Sequence, residues 1–234
     1  MRYSLLGKKL LFITAHPDDE SYLAAGTIYR NQKAGGQSFL ICATLGEKGK
    51  AHLKRPLSDS ELKKVRRKEL QNVVKFLGLK KLVLLGLPDT NVGKHKKTAY
   101  RKILSMAKDF QPDFIISFGK DGMSGHLDHI AIGQVAQKTA KTLNVPWVAV
   151  SRPRSFFKQL RSILKRRRRF GKYKIRRKLP SIPNLKIRID PRIKIKAVSF
   201  HKSQLGGRKP FSQFTSSLKN QLLAYEYFYV TTLH

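Results

Sequence analysis

Acidic residues and cysteines are scarce in this chain, and long apolar runs are missing from it. Among 234 residues only 14 are Asp or Glu, against 49 Lys or Arg, which gives a formal net charge of +35. This excess favours anionic partners such as nucleic acid, acidic lipid head groups or phosphorylated substrates. A generally basic proteome or plain solubility would explain it equally well.

The single cysteine and the short apolar runs exclude several classes of protein. Cys42 has no partner for an internal disulfide, which favours a reducing compartment. Lys8 and Lys9 interrupt the apolar stretch near the amino terminus, so we expect no signal peptide. No apolar run approaches the roughly 18 residues that a membrane span requires. We therefore expect a cytoplasmic protein that touches a membrane only from its surface, if at all.

Residues 1–150 alternate short apolar runs with helical patterns, which predicts βαβ units and a parallel sheet. Ser58 and Glu61 form a capping box for one helix, which Gly78 ends. The length suits one domain, and we expect a single unit over 1–234 with a basic insertion or lid at 152–196. The predicted fold is α/β, a Rossmann-like three-layer sandwich with a mostly parallel sheet. Its predicted strands are 10–14, 38–43, 82–85, 114–117 and 147–150, and its further helices 19–32, 98–108 and 130–143.

Two clusters of His and Asp follow two of these strands. Residues 16–20 read His-Pro-Asp-Asp-Glu after the first strand, and residues 126–129 read His-Leu-Asp-His after the fourth. Doubly wound sheets bind ligands at the carboxyl ends of their strands, so both clusters face one edge if strands one and four are neighbours. His16, Asp19 and His129 would then supply three ligands and leave a place for water, as in a catalytic zinc site.

Each of these residues also has a plain structural interpretation. Asp18 or Asp19 alone suits a helix cap, and His126 with His129 alone suits a solvated pair at another helix start. Two such clusters after two strands are hard to explain by capping. Together they favour a metal site.

The same residues carry a resemblance to a known family. Ala-His-Pro-Asp-Asp-Glu at 15–20 together with His-Leu-Asp-His at 126–129 resembles the PIG-L/LmbE family of zinc-dependent N-deacetylases. The match covers nearly the whole chain except the basic segment. Supporting matches are Thr-Leu-Gly-Glu-Lys-Gly at 44–49, Arg-Arg-Lys-Glu-Leu at 66–70, Leu-Pro-Asp at 87–89 and His-Lys-Ser-Gln at 201–204.

The resemblance implies a hydrolase that removes an acyl group, acetyl above all, from an N-acetylglucosaminyl or related amino-sugar conjugate. It implies one Zn²⁺, or another divalent metal, held by His16, Asp19 and His129, with Asp18 as the general base. Zinc lowers the pKa of bound water, and Asp18 can accept its proton. His126 would stabilise the oxyanion as a donor. Either Asp18 or His126 could return the proton to the departing amine.

The resemblance also implies supporting and substrate-binding residues. Asp128 would orient a histidine, and Glu20 would support the site or start the helix. Glu47, Arg66 and Asp89 would contact the polar substrate. Alternatively, Arg66 lies on a solvated helix face and Asp89 is a turn residue.

Residues outside the two clusters offer less. His201 is a candidate for the wall of the cleft. His52, His95 and His234 stand in no recognisable partner pattern.

A basic segment follows the predicted sheet. Residues 152–196 contain 19 Lys or Arg and one acid, Asp190. Apolar residues at helical spacing within it predict an amphipathic helix, which either packs on the sheet or lies on an anionic membrane through 155–178. In the membrane case a lipid-linked amino sugar becomes the natural substrate. The oligomeric state stays open.

Two other functions compete with amide hydrolysis. One is a basic nucleic-acid-binding protein whose phosphate contacts are Arg166, Arg167, Arg168 and Arg169; nonspecific nucleic-acid binding could also accompany an enzyme. That hypothesis leaves the His and Asp clusters unexplained. The other is a zinc phosphoesterase, which ligation of one metal by two His and one Asp makes less favourable.

Overall fold

The computed structural model describes residues 4–49, 55–166 and 182–231. Across these residues a seven-stranded sheet has the order β3-β2-β1-β4-β5-β7-β6. The strands are β1 Lys9–Thr14, β2 Gln37–Cys42, β3 Lys81–Leu84, β4 Phe114–Phe118, β5 Trp147–Ser151, β6 Leu185–Arg188 and β7 Tyr225–Val230. The five predicted strands are all present, displaced by at most one residue at either end.

Helices pack on both sides of the sheet. In the described residues α3 packs against α5, and α1 packs against α2 and α7. This is the predicted three-layer α/β fold. The helices are α1 Asp19–Lys33, α2 Asp59–Leu77, α3 Lys96–Phe110, α4 Gly122–Gly125, α5 Leu127–Leu143, α6 Arg154–Arg166, α7 Pro191–Ser199, α8 Lys202–Leu205 and α9 Ser216–Ala224, with a short 3-10 helix at Val92–His95.

The predicted capping box of α2 is present. The Ser58 side chain accepts from the Glu61 amide, and the Glu61 carboxylate accepts from the Ser58 amide. Gly78 ends the helix with φ of 70°, a left-handed conformation that glycine adopts without strain.

Strand β1 lies in the middle of the sheet, parallel to β2 on one side and β4 on the other. Leu11 pairs with Phe39 and with Ile115. The apolar side chains of β1 and β4 are buried, as expected for parallel strands covered on both faces. Strands one and four are thus neighbours, and both His and Asp clusters leave the sheet at the same edge.

The carboxyl-terminal part contains two strands that the sequence pattern did not predict. β7 runs antiparallel between β5 and β6. Its buried positions Glu226, Phe228 and Val230 alternate with partly exposed tyrosines. That alternation was a readable strand signal, whereas the four residues of β6 carry only a weak one.

The amphipathic helix predicted in the basic segment is α6. Its Phe156 and Phe157 are buried in a second apolar cluster with Phe211, Leu218 and Leu222. Among the described side chains of α6, Phe156 and Phe157 therefore pack inside the protein beside α9. Residues 167–181, with three of the four consecutive arginines, and the Arg166 side chain lie outside the described residues. Among the described helices, none is long and apolar enough to cross a bilayer.

Candidate active site

The loops after β1 and β4 bring His16, Asp19 and His129 together. His16 Nδ1 lies 3.2 Å from His129 Nε2. Asp19 Oδ1 lies 3.3 Å from His129 Nε2, and Asp19 Oδ2 lies 3.8 Å from His16 Nδ1. Ligand atoms of a tetrahedral zinc with bonds of about 2.0–2.1 Å are separated by about 3.3 Å. The two imidazole nitrogens therefore have the spacing of ligands that share one ion, and a different carboxylate oxygen of Asp19 faces each of them.

Hydrogen bonds on the far side of each imidazole assign its tautomer. His16 Nε2 lies 3.1 Å from Asp89 Oδ1 and 3.3 Å from Asp128 Oδ2, so in the neutral ring this nitrogen carries the proton. His129 Nδ1 lies 3.1 Å from the Gly122 carbonyl and donates to it. The two nitrogens that face each other are then both lone-pair acceptors, which repel unless a proton or a metal ion lies between them. This donor set fits a metal ion.

The carboxylate of Asp19 completes the set. Its Oδ2 accepts from the backbone amides of Ala15 at 3.0 Å and His16 at 2.8 Å, which leaves Oδ1 toward the imidazoles. Burial alone would raise the pKa of Asp19, but His129 and His16 lower it below its usual range. The group is therefore ionised and ready to bind a cation.

His16 has the opposite shift. Burial lowers its pKa, but hydrogen bonds to Asp128 and Asp89 outweigh burial and raise the pKa to about 10. A metal ion that takes this position must displace the second proton of the ring, so metal binding competes with protons.

Two overlapping groups of ligand atoms centre on His16. One is His16 with His126 and His129, the other His16 with Asp89 and Asp128, and in each group the ligand atoms lie within 4.8 Å of one another. His126 is the most exposed of these side chains. Its Nδ1 accepts from the Asp128 amide at 3.2 Å and caps α5, so His126 does lie at a helix start. The two histidines are not a solvated pair, because the His129 side chain is only 14% exposed. In the neutral ring its Nε2 carries the proton and can donate.

Asp18 lies directly before α1 with φ of 116° and ψ of −25°. Among the described residues its side chain makes no capping bond, so the helix-cap interpretation is wrong for Asp18. Its Oδ2 lies 3.3 Å from Arg66 Nη2. Burial raises the pKa of Asp18 to about 6, although Arg66 opposes the shift. A carboxylate with a pKa nearer neutrality is a better proton acceptor.

Arg66 is not on a solvated helix face, as one interpretation of the sequence had it. The residue is 3% exposed. Its guanidinium donates to the Gly46 carbonyl at 2.9 Å and also to the Pro17 carbonyl. Arg66 thus ties the loops after β1 and β2 to α2.

Glu47 and Asp89 are both buried beside the cluster. Glu47 Oε1 accepts from the Asp89 amide at 3.2 Å and lies 3.3 Å from Lys63 Nζ. Asp89 Oδ2 accepts from the Lys48 amide at 2.9 Å. The Asn91 amide donates to the Pro88 carbonyl at 3.2 Å, so Asp89 does lie in a turn, as one interpretation predicted. Within the described part of the chain, Glu47 Oε2 is buried without a hydrogen-bond partner.

Sequence reasoning missed some residues around the site and misplaced one. One missed residue is Phe118, whose ring stacks on His129 with the ring centroids 4.0 Å apart. The sequence signal for this contact is weak, because it consists only of the position of Phe118 directly before the glycine-rich loop. His201 does not line the cleft. It is 1% exposed and binds the buried carboxylate of Glu20.

Two curated proteins of known name are similar in sequence to this chain. Probable N-acetyl-alpha-D-glucosaminyl L-malate deacetylase 2 of Bacillus anthracis is 32% identical over 138 residues, which are 58% of this chain and 61% of that protein. The 1D-myo-inositol 2-acetamido-2-deoxy-alpha-D-glucopyranoside deacetylase of Streptomyces avermitilis is 30% identical over 172 residues, which are 60% of this chain and 58% of that protein. The chain thus spans about three fifths of the length of these curated relatives.

Solved structures and a family model extend the comparison. The structure of N,N'-diacetylchitobiose deacetylase from Pyrococcus horikoshii is similar with a TM-score of 0.69 at 24% identity, covering 96% of this chain and 84% of that one, which shows a shared fold. A family model described as PIG-L, GlcNAc-PI de-N-acetylase, matches residues 11–140, more than half of the chain. On this match, the chain belongs to the PIG-L family.

Proposed function

We propose that this protein is a zinc-dependent N-deacetylase that releases acetyl from an N-acetylglucosaminyl or related amino-sugar conjugate. The observation that carries the proposal is the convergence of His16 Nδ1, His129 Nε2 and a carboxylate oxygen of Asp19. The far side of each of these groups is already held by a hydrogen bond. The names of the relatives, which describe deacetylases of glucosaminyl malate and glucosaminyl inositol, supply the substrate class.

Zinc would be held by His16, Asp19 and His129, and when bound it supplies a Lewis acid for the amide carbonyl and lowers the pKa of water. Asp18 accepts the proton of the attacking water. The exposed His126 donates from Nε2 to the carbonyl oxygen as negative charge develops on it. Asp18 or His126 then returns a proton to the departing amine.

Substrate binding falls to the residues that border this centre. Glu47 offers its unpartnered Oε2 to a sugar hydroxyl. Asp89 contributes to substrate binding by accepting from the amides of Lys48 and Thr90, which fixes the loops beside the centre. Arg66 acts chiefly by holding the Asp18 carboxylate, because its donors are already directed at Asp18 and two backbone carbonyls.

The test is a screen of N-acetylglucosaminyl conjugates for release of free amine, with and without a chelator. Asp18→Asn should keep stoichiometric zinc and lose activity by orders of magnitude, because the base is lost while the ligands stay. The matched control is Asp109→Asn, an exposed carboxylate at the end of α3, which should keep full activity.

Three outcomes would contradict the proposal. The first is near-full activity of Asp18→Asn, which would show that Asp18 is not the general base. A wild-type protein that purifies without zinc but binds nucleic acid favours the nucleic-acid hypothesis. Metal-dependent hydrolysis of a phosphodiester without amine release favours a phosphoesterase.

A further inference from the structure

A buried acid–imidazole pair lies behind the proposed base. His201 Nε2 lies 2.9 Å from Glu20 Oε1, which also accepts from Ser21 Oγ at 2.7 Å. The second oxygen of the same carboxylate, Oε2, accepts from the Asp18 amide at 3.1 Å. Glu20 and His201 are each 1% exposed. One carboxylate therefore connects His201 to the backbone of Asp18.

That connection reaches Asp18 where its backbone is unusual. Residues other than glycine rarely adopt φ of 116°, and such a conformation persists only where the surroundings hold it. On its carboxyl side the Asp18 carbonyl accepts from the amides of Ser21 and Tyr22, each at 3.0 Å. On its amino side the amide is held by Glu20. Since φ and ψ of Asp18 are the two rotations between these anchors, the Glu20 carboxylate helps set the direction of the Asp18 side chain.

His201 is itself fixed from helix α2. The Glu69 carboxylate accepts from the Ser203 amide and from Ser203 Oγ, both at 2.7 Å, which ties the turn that contains His201 to this helix. The same helix carries Arg66, whose guanidinium lies 3.3 Å from the Asp18 carboxylate. α2 therefore holds the side chain of Asp18 directly and its backbone through His201.

We propose that His201 is a positioning residue for the deacetylation reaction. By fixing the Glu20 carboxylate, it keeps Asp18 in its left-handed conformation and aims the base at the attacking water. It does so without touching the substrate. Asp19 is anchored separately, through the amides of Ala15 and His16, so metal binding does not run through this pair. The inference rests on the proposed function, in which Asp18 is the base.

Two polar substitutions of His201 distinguish the effect of its hydrogen bond to Glu20 from the effect of filling the same space with a side chain. The amide nitrogen of His201→Gln reaches the position of Nε2, whereas that of His201→Asn ends near the position of Nδ1. We expect His201→Asn to lower kcat on the order of 10- to 100-fold, as a misplaced base does, with KM changed less than about threefold. His201→Gln should recover most of the lost kcat. His95→Asn, a histidine outside the site, is the matched control and should behave as the wild type.

Zinc content and the conformation of Asp18 are measured beside kinetics. His201→Asn should retain one zinc per chain, and its crystal structure should show Asp18 outside the positive-φ region. Equal kcat in the Asn variant and wild type, equal loss in the Gln and Asn variants, or loss of zinc would each overturn the proposal.

If the Asn variant does not fold, Glu20→Gln takes its place, because an amide offers one acceptor oxygen where the carboxylate offers two. Unchanged kcat in Glu20→Gln also overturns the proposal. A wild type without deacetylase activity instead contradicts the proposed function.

Discussion

Lys194 and Glu226 form a buried ion pair whose disruption gives a large and specific loss of stability. Lys194 Nζ lies 2.9 Å from Glu226 Oε1, and both side chains are 0% exposed. The carboxylate also accepts from the amides of Gly26 at 3.1 Å and Thr27 at 2.7 Å, inside α1. Glu226 lies on β7 and thus joins this strand to α7 and α1. Its loss therefore affects all three elements.

The magnitude follows from what each substitution leaves behind. Glu226→Gln leaves the Lys194 ammonium buried without a counter-charge, and it also removes the negative charge that offsets the nearby buried Arg152. We therefore expect the free energy of unfolding to fall by about 3–5 kcal/mol. Lys194→Met leaves a carboxylate that keeps two amide donors, and should cost at least about 1 kcal/mol less. Urea unfolding at pH 7 measures both. The matched control is Lys196→Met, an exposed lysine of the same helix, with an expected change within about 0.5 kcal/mol.

The same pair predicts a pH dependence. Burial lowers the pKa of Lys194 from 10.5 to about 8, although Glu226 opposes the shift. Between these pH values the unfolded chain binds the extra proton, so the stability contributed by this group rises with pH across the window, by up to about 3 kcal/mol. The cost of Lys194→Met should therefore grow from pH 8 to pH 10. A loss below about 1 kcal/mol for Glu226→Gln, or a cost of Lys194→Met that stays constant over this range, would refute the reasoning.

Two further predictions concern the site and its support. Asp128→Asn removes the charge that orients His16 and should weaken zinc binding about 10- to 100-fold in a competition assay with a chromogenic chelator; unchanged affinity would contradict the tautomer assignment. Gly133→Ala places a methyl group 2.5 Å from the Phe118 carbonyl oxygen, so α5 must shift away from β4, at a cost of about 1–3 kcal/mol in urea unfolding. A stable variant would show that this helix has room to move.

The central part of the fold was predictable because its signals are local. Parallel strands buried on both faces read as apolar runs, which located β1 to β5 within a residue at each end. The Ser58 capping box and Gly78 marked both ends of α2. The convergence of the clusters needed only one assumption about topology, that the first and fourth strands are neighbours.

The remaining features depend on distant packing. The pairing of Glu20 with His201 joins residues 181 apart, and no local pattern records it. The left-handed conformation of Asp18 results from anchors on both sides of one peptide, which sequence spacing does not reveal. Arg66 could be mistaken for a surface residue because the loops that bury it carry no apolar signal.

The placement of β7 has a consequence for synthesis of the chain on the ribosome. β5 has β4 as one neighbour, but its other neighbour is β7, the last in sequence of the described strands, and β6 pairs with that same strand. From the translation of Ser151 until that of Val230, one edge of β5 exposes unpaired amide and carbonyl groups. A nascent chain paused in this interval is therefore the form most exposed to pairing with the wrong strand.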